Sequence, residues 1–414
     1  MKLDLMDMLY AMSFALDKVE SELLGIGTGH GGHVAYLSYW MGKAAGYQDE
    51  ELRDFVGCCL LHDNALTEYI YQEFTTRPLA HTVSEQISEL QGRDTENMHH
   101  EHSVIGELNI HLLPFRTDVK DIVRLHHENA DGTGVLGLSA SETTLKSQIT
   151  HLADMIDTMS HLITMTEEEF KETCQWIKDN EGSLFSEESV ALFFQAIDYD
   201  KIVDMQERGA YTFLREELPQ EIIDYSDEEI RNIAKLFAKI VDYKSEFMQD
   251  HSKAVAEKAE VMAHYYGFDD EKAIRFYFAG ALHDIGKLVV TNDILEKQEH
   301  LTLSEYEEMK NHAVATRYIL GQMKEIPDIV SWASNHHEKL NGTGYPRGLT
   351  EMELSFEDRL MACIDTYQAL IEKRSYKDGM THESAIAIML DMANREELDR
   401  GIVWDIDAVL GVHD

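Results

Sequence analysis

The sequence has few of the residues that cross-link, interrupt or membrane-anchor a chain. Its four cysteines show no CxxC spacing, which indicates neither a disulfide framework nor a zinc ribbon and fits a reduced cytoplasm. No run of about 18 uncharged apolar residues occurs, and acids stand where a signal peptide would be apolar, so we expect a soluble cytoplasmic protein without a membrane partner. Only five prolines interrupt the chain, and alternation with period two is rare, which argues against a sheet.

Positive charge is scarce as well. The chain has 36 lysines and arginines against 77 aspartates and glutamates, a net charge of -41. Such a charge repels double-stranded nucleic acid and anionic membranes. A phosphate ester could bind only where metal ions and a few basic residues reverse the local field. For most of the acidic side chains we favour the simpler reading, that they keep a large protein soluble.

Helical periodicity, in contrast, is abundant. Apolar residues recur at spacings of three, four and seven, as in residues 230–240. The pairs Ser226 with Glu229 and Thr302 with Glu305 have the spacing of capping boxes. A chain of 414 residues is too long for one typical core. We predict an all-α fold of two tandem helical domains joined by a helical connector.

One pattern of histidines and aspartates occurs twice. In both halves a lone histidine precedes a His-His-Glu triplet by 24 residues, from 102 to 126 and from 312 to 336, which indicates a tandem duplication. The distance from the first histidine to the His-Asp pair differs, 29 residues from 33 to 62 against 32 from 251 to 283, and we attribute this to a loop insertion. The predicted boundaries are 1–165, 166–225 for the connector and 226–414. A passive spacer packed on one domain is the alternative for the connector.

The second copy combines neutral nitrogen with hard oxygen ligands, a mixture that suits Fe, Mn, Zn or Ni better than Ca or Mg alone. Seven ligands exceed the need of one ion, so we predict two, bridged by Asp284 and by a water that becomes the hydroxide nucleophile. Lys287, predicted on the same helical face as His283, would neutralise the charge that develops on the phosphoryl group. The expected ligands are His251, His283, Asp284 and Asp365 for one ion and His312, His336 and His337 for the other.

Three motifs follow one another in this copy: His283-Asp284-Ile285-Gly286-Lys287, then His336-His337-Glu338, then Gly-Thr-Gly-Tyr-Pro at 342–346. Their order resembles the HD-GYP family, a branch of the HD phosphohydrolases, over about residues 226–400. The resemblance implies a helical fold, a centre of two or three metals, often iron or manganese, and hydrolysis of cyclic di-GMP to pGpG or GMP. Two departures occur, because Phe247 replaces the glutamate of three-metal members and Gln368 replaces the family's second aspartate. We therefore expect two metals.

The resemblance also implies a substrate-binding set. Tyr345 could stack on a base or serve a partner surface, and a diguanylate cyclase is one partner expected at this loop. No base-reading residue is evident, so 3′,3′-cyclic GMP-AMP is the alternative substrate, and a module that senses a cyclic dinucleotide or a partner is the non-enzyme alternative. Hydrolases of mononucleotides or guanosine tetraphosphate lack the Gly-x-Gly-Tyr-Pro loop. The expected substrate contacts are Gly344, Tyr345, Arg347, Arg374 and Lys377.

The first copy keeps the ligand types but lacks the cation. Leu66 stands at the position of Lys287, and the glycine loop continues with Val135-Leu136 instead of Tyr-Pro. Without that cation, charge in the transition state would be poorly compensated. We predict a degenerate domain that is regulatory or forms a homodimer, and an active site with other charge stabilisation is the alternative. The residues of its expected non-catalytic metal site are His33, His62, Asp63, His102, His126, His127 and Asp154.

Overall fold

A computed structural model describes residues 1–24, 27–69, 95–245, 250–297, 299–373 and 379–411. These residues form two compact units, one of residues 4–222 and one of residues 1–3 with 223–411. The predicted all-helical fold is confirmed, since the described part contains only two strands, Lys2–Leu3 (β1) and Ile223–Asp224 (β2), which pair antiparallel within the second unit. No helix among the described residues is long and apolar enough to cross a membrane.

The first unit is built around a buried helix, α2 (His30–Ala44), whose Tyr36 and Tyr39 side chains are almost fully enclosed. The ring of Phe213 lies 4.7 Å from that of Tyr36 and 5.4 Å from that of Tyr39, centroid to centroid. The described helices of this unit are α1 (Leu5–Leu24), α2 (His30–Ala44), α3 (Asp49–Leu60), α4 (Thr95–Ile110), α5 (Leu145–Ser160), α6 (Glu167–Asp179), α7 (Glu187–Ala196), α8 (Tyr199–Arg208) and α9 (Ala210–Glu217).

The segment predicted as a connector, 166–225, is helical but differs from a free connector, because its residues up to 222 belong to the first unit. Tyr211 donates its hydroxyl to Asp17 Oδ2 at 2.8 Å, and Phe193 and Phe213 are buried. Apolar faces of this size are stable only when they are covered. These contacts favour the alternative of a spacer packed on one domain.

The second unit is organised by two closely packed helices, α11 (His251–Tyr265) and α12 (Asp270–Leu282). A Cβ on Gly280 of α12 would lie 3.0 Å from the Cα of Ala256 of α11, so glycine permits this approach. Both predicted capping boxes are present, at Ser226 and Thr302. The described helices are α10 (Asp227–Asp242), α11 (His251–Tyr265), α12 (Asp270–Leu282), α13 (Asn292–Leu295), α14 (Leu303–Leu320), α15 (Pro327–Ser334), α16 (Phe356–Ile371), α17 (His382–Asn394) and α18 (Arg400–Leu410).

Candidate metal centres

Helix ends position most of the candidate ligands of the second unit. His251 is the first residue of α11, and the His283-Asp284 pair directly follows α12. The pair at 336–337 follows α15 after one intervening residue, Asn335. His312 and Asp365 lie within α14 and α16. All these side chains are buried except that of His337, which is 29% exposed and opens the cluster to solvent.

The carboxylate of Asp284 lies between two groups of nitrogens. Its Oδ2 is 3.1 Å from His283 Nε2 and 3.8 Å from His251 Nε2. Its Oδ1 is 3.6 Å from His312 Nε2 and 3.7 Å from His336 Nε2. One carboxylate thus presents a separate oxygen to each group, as a bridging ligand must.

The remaining contacts divide the donors in the same way. Asp365 Oδ1 is 3.2 Å from His251 Nε2 and 3.6 Å from His283 Nε2. Asp365 Oδ2 lies farther off, 3.8 Å from His337 Nδ1. Two sets of donor atoms each lie within 4.8 Å of one another and could hold an ion, His251, His283 and Asp365 in one and His312, His336 and His337 in the other. The prediction from the sequence names the same two sets and adds Asp284 to the first.

Backbone carbonyls orient the imidazole rings. Nδ1 of His283 contacts the carbonyl oxygen of Gly280 at 2.7 Å, and Nδ1 of His312 contacts that of Met309 at 2.6 Å. A proton on Nδ1 donated to these carbonyls leaves Nε2 as the unprotonated, metal-binding nitrogen. His283 Nε2 and Asp284 Oδ1 are buried and have no hydrogen-bond partner among the described residues. Such orphaned polar atoms are costly unless a cation binds them, so the donor set fits a metal.

The electrostatics also suit a cation. Burial alone would raise the pKa of Asp284, but the charges of His283 and Lys287 hold it well below its usual range. Burial lowers the pKa of His336 to about 3 and that of His337 well below its usual range, so both rings stay neutral. Burial alone would lower the pKa of His283, but the charges of Asp284 and Asp365 raise it to about 10, so an ion that binds this ring has to displace a proton. Ionised carboxylates beside neutral imidazoles are the protonation states that transition metals require.

Lys287 does not share a helical face with His283, and that prediction is wrong. Helix α12 ends at Leu282, and Lys287 lies in a short 3₁₀ helix, Ile285–Val289. Its ammonium group is 2.6 Å from Asp284 Oδ2. A Cβ on Gly286 would lie 1.9 Å from the carbonyl oxygen of His312, so only glycine lets this turn pack against α14.

Glu372 is a functional candidate that the sequence reading missed. Its Oε2 is 3.2 Å from His251 Nδ1, and Gln368 Nε2 donates to its Oε1 at 3.3 Å. In the first unit the corresponding contact, 2.8 Å to His30 Nδ1, comes from Asp157, at the position of Gln368. Glu372 thus supplies, one helical turn later, the carboxylate that Gln368 lacks. Its spacing of seven from Asp365 was the available signal.

We expect Glu372→Ala to weaken binding of the ion near His251 by roughly tenfold to a hundredfold, because a carboxylate that holds a ligand's second nitrogen tunes metal affinity by this amount. Competitive titration against a chelating dye measures the affinity. Glu372→Gln keeps an acceptor and should restore part of it. Unchanged affinity in both variants would contradict a positioning role.

His33 is not part of the first cluster, and the structure corrects this prediction. His30 Nε2 lies 3.2 Å from Asp154 Oδ1, whereas His33 Nδ1 contacts Asp157 at 3.0 Å. His30 precedes His62 by 32 residues, the spacing of His251 to His283, so no loop insertion is needed. His30 and His33 lie one turn apart on the same face of α2 and both contact Asp157, but it is His30 whose second nitrogen reaches Asp154 of the cluster.

His30→Ala should therefore reduce the metal content of the first unit, whereas His33→Ala should leave most of it. Inductively coupled plasma mass spectrometry measures both variants in a background that carries His283→Ala, which removes a donor of the second centre. Equal losses from the two substitutions would restore His33 as a ligand.

The other predicted residues of the first cluster do converge. Asp63 Oδ1 is 3.2 Å from His102 Nε2 and 3.5 Å from His126 Nε2, and His127 Nε2 is 3.1 Å from His102 Nε2. Leu66 donates its N–H to the carbonyl of Asp63, as Lys287 does to that of Asp284, but its side chain is a buried hydrocarbon. The first cluster therefore keeps its donors and has an apolar side chain at the position of Lys287.

The glycine loop of the second unit is held by Glu338. Its two oxygens accept the backbone N–H groups of Arg347 at 2.7 Å and Leu349 at 2.9 Å. A Cβ on Gly344 would lie 2.4 Å from the nitrogen of Lys339, so this position requires glycine. The Tyr345 ring lies 4.8 Å from the His337 ring, at the open side of the cluster.

Several predicted substrate residues remain without a described contact to the cluster. The backbone N–H of Arg347 donates to Glu338, and its side chain is exposed. Arg374 and Lys377, together with Phe247, lie outside the described residues. Lys310 was not predicted, yet its ammonium group lies 6.0 Å from the centroid of the Tyr345 ring.

Comparisons with known proteins identify an HD domain in each unit. Two family models, each describing the HD domain, match residues 29–159 and 235–402. The 3′3′-cGAMP-specific phosphodiesterase 1 of Vibrio cholerae is 28% identical over 94% of this chain and 88% of its own. The cyclic di-GMP phosphodiesterase of Thermotoga maritima is 29% identical over 42% of this chain and 48% of its own. The crystal structure of a cyclic GMP-AMP specific phosphodiesterase of V. cholerae, V-cGAP3, superposes with a TM-score of 0.67 at 21% identity, over 100% of this chain and 99% of that one, and shares its fold.

Proposed function

Because the chain belongs to the HD-domain family, with two HD domains in tandem and the HD-GYP signature residues in the second, we propose that it is a metal-dependent cyclic-dinucleotide phosphodiesterase. The observation that carries this proposal is the position of Asp284, which turns one oxygen towards each of two histidine groups. A hydrolase of phosphodiesters uses two such ions to polarise the ester and to activate the attacking water.

Two divalent transition metals fit the donor sets, with iron or manganese favoured and zinc or nickel as alternatives. His251, His283, Asp284 and Asp365 would hold one of them, and His312, His336, His337 and the second oxygen of Asp284 would hold the other. Two ions rather than three remain our proposal. The carboxylate of Glu372 keeps His251 in the orientation that this arrangement requires.

The protein supplies the remaining chemistry. The half-buried Lys287 ammonium group, which is paired with Asp284, can bind a phosphoryl oxygen and compensate the charge that develops on it. Tyr345 presents an aromatic face beside His337, where a base can stack. Glu338 fixes the loop that carries Tyr345, so substrate binding does not have to provide the free energy for ordering this loop.

Two substrates are candidates. Cyclic di-GMP, hydrolysed to pGpG or GMP, is the substrate implied by the HD-GYP signature. The similarity to the 3′3′-cGAMP-specific phosphodiesterase 1 of Vibrio cholerae supports the mixed dinucleotide 3′,3′-cyclic GMP-AMP, because this similarity extends over 94% of this chain. Both have the same phosphodiester ring, so the centre serves either, and the rim around Tyr345 would discriminate between their bases.

The test is a turnover assay on the full chain reconstituted with Fe(II) or Mn(II) under anaerobic conditions. Each dinucleotide is incubated separately, and products are separated by chromatography. Linear products from at least one substrate, abolished by a chelator and restored by metal, are expected. Tight binding of a dinucleotide without any hydrolysis would replace this proposal by the sensing-module alternative.

We propose that the first unit binds metal but contributes little catalysis, since Leu66 places a hydrocarbon side chain where the second unit has Lys287. Its intact donor cluster supports the first part of this proposal. A regulatory role, or a role in forming a homodimer, would explain why the first unit keeps its metal donors although it has Leu66 at the position of Lys287.

A further inference from the structure

The second unit contains a cavity on the side of α11 that faces away from the metal centre. Its volume is about 330 Å³, and residues of α10, α11 and α12 line it. On α11 the lining residues Lys253, Ala256 and Glu257 occupy the face opposite His251. The cavity is therefore distinct from the metal centre. Two of its helices are nevertheless connected to that centre, because α11 begins with His251 and α12 ends directly before His283.

Small side chains keep this cavity open. Four alanines line it, and each is at most 3% exposed. A junction of three helices is normally filled by larger apolar residues, and an unfilled volume destabilises a core. The volume also lies at the lower end of the roughly 300–1,000 Å³ typical of small-molecule pockets. The alanines are Ala234, Ala238, Ala256 and Ala281.

The rim carries positive charge, which is unusual in a chain of net charge -41. Lys235 and Lys253 are exposed at the cavity, and neither makes an ion pair within the described ranges of the chain. The Arg231 guanidinium lies 4.7 Å from the Tyr277 ring and is paired with Glu260. Two lysines without partners, on two different helices, can bind a phosphate that the rest of the surface repels.

Acidic residues also line the cavity, and they limit which anion fits. Asp242 is engaged, since its Oδ1 and Oδ2 both accept the N–H of Ser252 at 3.1 Å. Asp250 and Glu257 are exposed and oppose a highly charged ligand. A single phosphate joined to an uncharged aromatic group suits this mixture better than a di- or triphosphate. Tyr243 and Tyr277 offer aromatic surface for stacking of such a group.

We propose that this cavity is a second ligand site, which binds a purine nucleoside monophosphate with its phosphate at Lys235 and Lys253 and its base against Tyr277 and the alanines. Occupancy would stabilise α11, which begins with His251, and α12, which ends directly before His283. A ligand that binds one arrangement of these helices shifts the protein towards it. The site thus offers a route by which a nucleotide adjusts the neighbouring centre.

Calorimetric titration of GMP and of AMP into the full chain carrying Asp284→Asn tests the proposal, because that background disables the second metal centre. One of the nucleotides should bind, and Lys235→Glu and Lys253→Glu should each weaken binding roughly tenfold or more, the loss of one charge-assisted contact. Lys324→Glu, at an exposed lysine of the same unit, is the matched control and should bind as the background does. Absence of binding by both nucleotides, or equal affinity in all three lysine variants, would overturn the proposal.

A second measurement covers the case in which a charge reversal disturbs the fold. Photolabelling of the unsubstituted chain with 8-azido-GMP, followed by peptide mapping, should label peptides that contain Tyr243 or Tyr277. Competition by unlabelled GMP should remove this label. Labels confined to the metal clusters or to other surfaces would count against the cavity.

Discussion

Asp284→Asn is expected to lower hydrolysis of cyclic dinucleotides by roughly a thousandfold or more, since it impairs both proposed ion positions at once. No other carboxylate among the described residues of the second unit has one oxygen within 4 Å of His283 and the other within 4 Å of His312. Asparagine preserves the size of the side chain but loses its charge and one acceptor oxygen. Initial rates and metal content, measured on the same preparation, should fall together.

Asp63→Asn is the matched substitution in the first unit, where Asp63 holds the same position relative to His102 and His126. We expect this variant to lose metal from the first centre while keeping most of the turnover. A loss equal to that of Asp284→Asn would show that the first centre is catalytic despite Leu66. Full activity of Asp284→Asn would remove the basis for the proposed function.

The sequence was sufficient for the fold class and for much of the geometry of the second cluster. Histidine spacing predicted the duplication because metal-binding residues tolerate little displacement, whereas the helices between them can vary. The division of donors into two groups around Asp284 followed from counting ligands. The prediction failed at His33, because the shorter distance from His33 to His62 was attributed to a loop insertion. His30 precedes His62 by 32 residues, which equals the distance in the second copy and needs no insertion.

Other features depend on three-dimensional packing that no local pattern specifies. The turn after α12 moves Lys287 from the expected helical face into contact with Asp284, because Gly286 lets the chain pass close to His312. Glu372 contacts His251 from the turn after Gln368, and its spacing from Asp365 places it on the same face without showing which histidine it meets. The helices after residue 166 could be recognised by periodicity, but periodicity does not say which domain covers their apolar faces.

Lys287→Met should lower kcat for cyclic-dinucleotide hydrolysis by roughly a hundredfold to a thousandfold, the effect of removing one group that stabilises charge in a transition state. The ammonium group is 2.6 Å from Asp284 Oδ2 and its side chain is 18% exposed, so a phosphoryl oxygen that enters from solvent can reach it. Methionine keeps the length and apolar contacts of the lysine stem. Steady-state kinetics should show a loss in kcat larger than any change in KM.

Metal content separates this role from that of Asp284, because Lys287 donates no electron pair while it is protonated. Lys287→Met should retain its metals, whereas Asp284→Asn should lose them. Lys297→Met, which removes a lysine paired with Glu305 in the same unit, is the control for loss of one positive charge and should hydrolyse normally. If Lys287→Met kept its kcat, the presence of Leu66 at the position of Lys287 would not explain a difference in catalysis between the two units. The contrast between these two residues would then have to be attributed to folding of the turn.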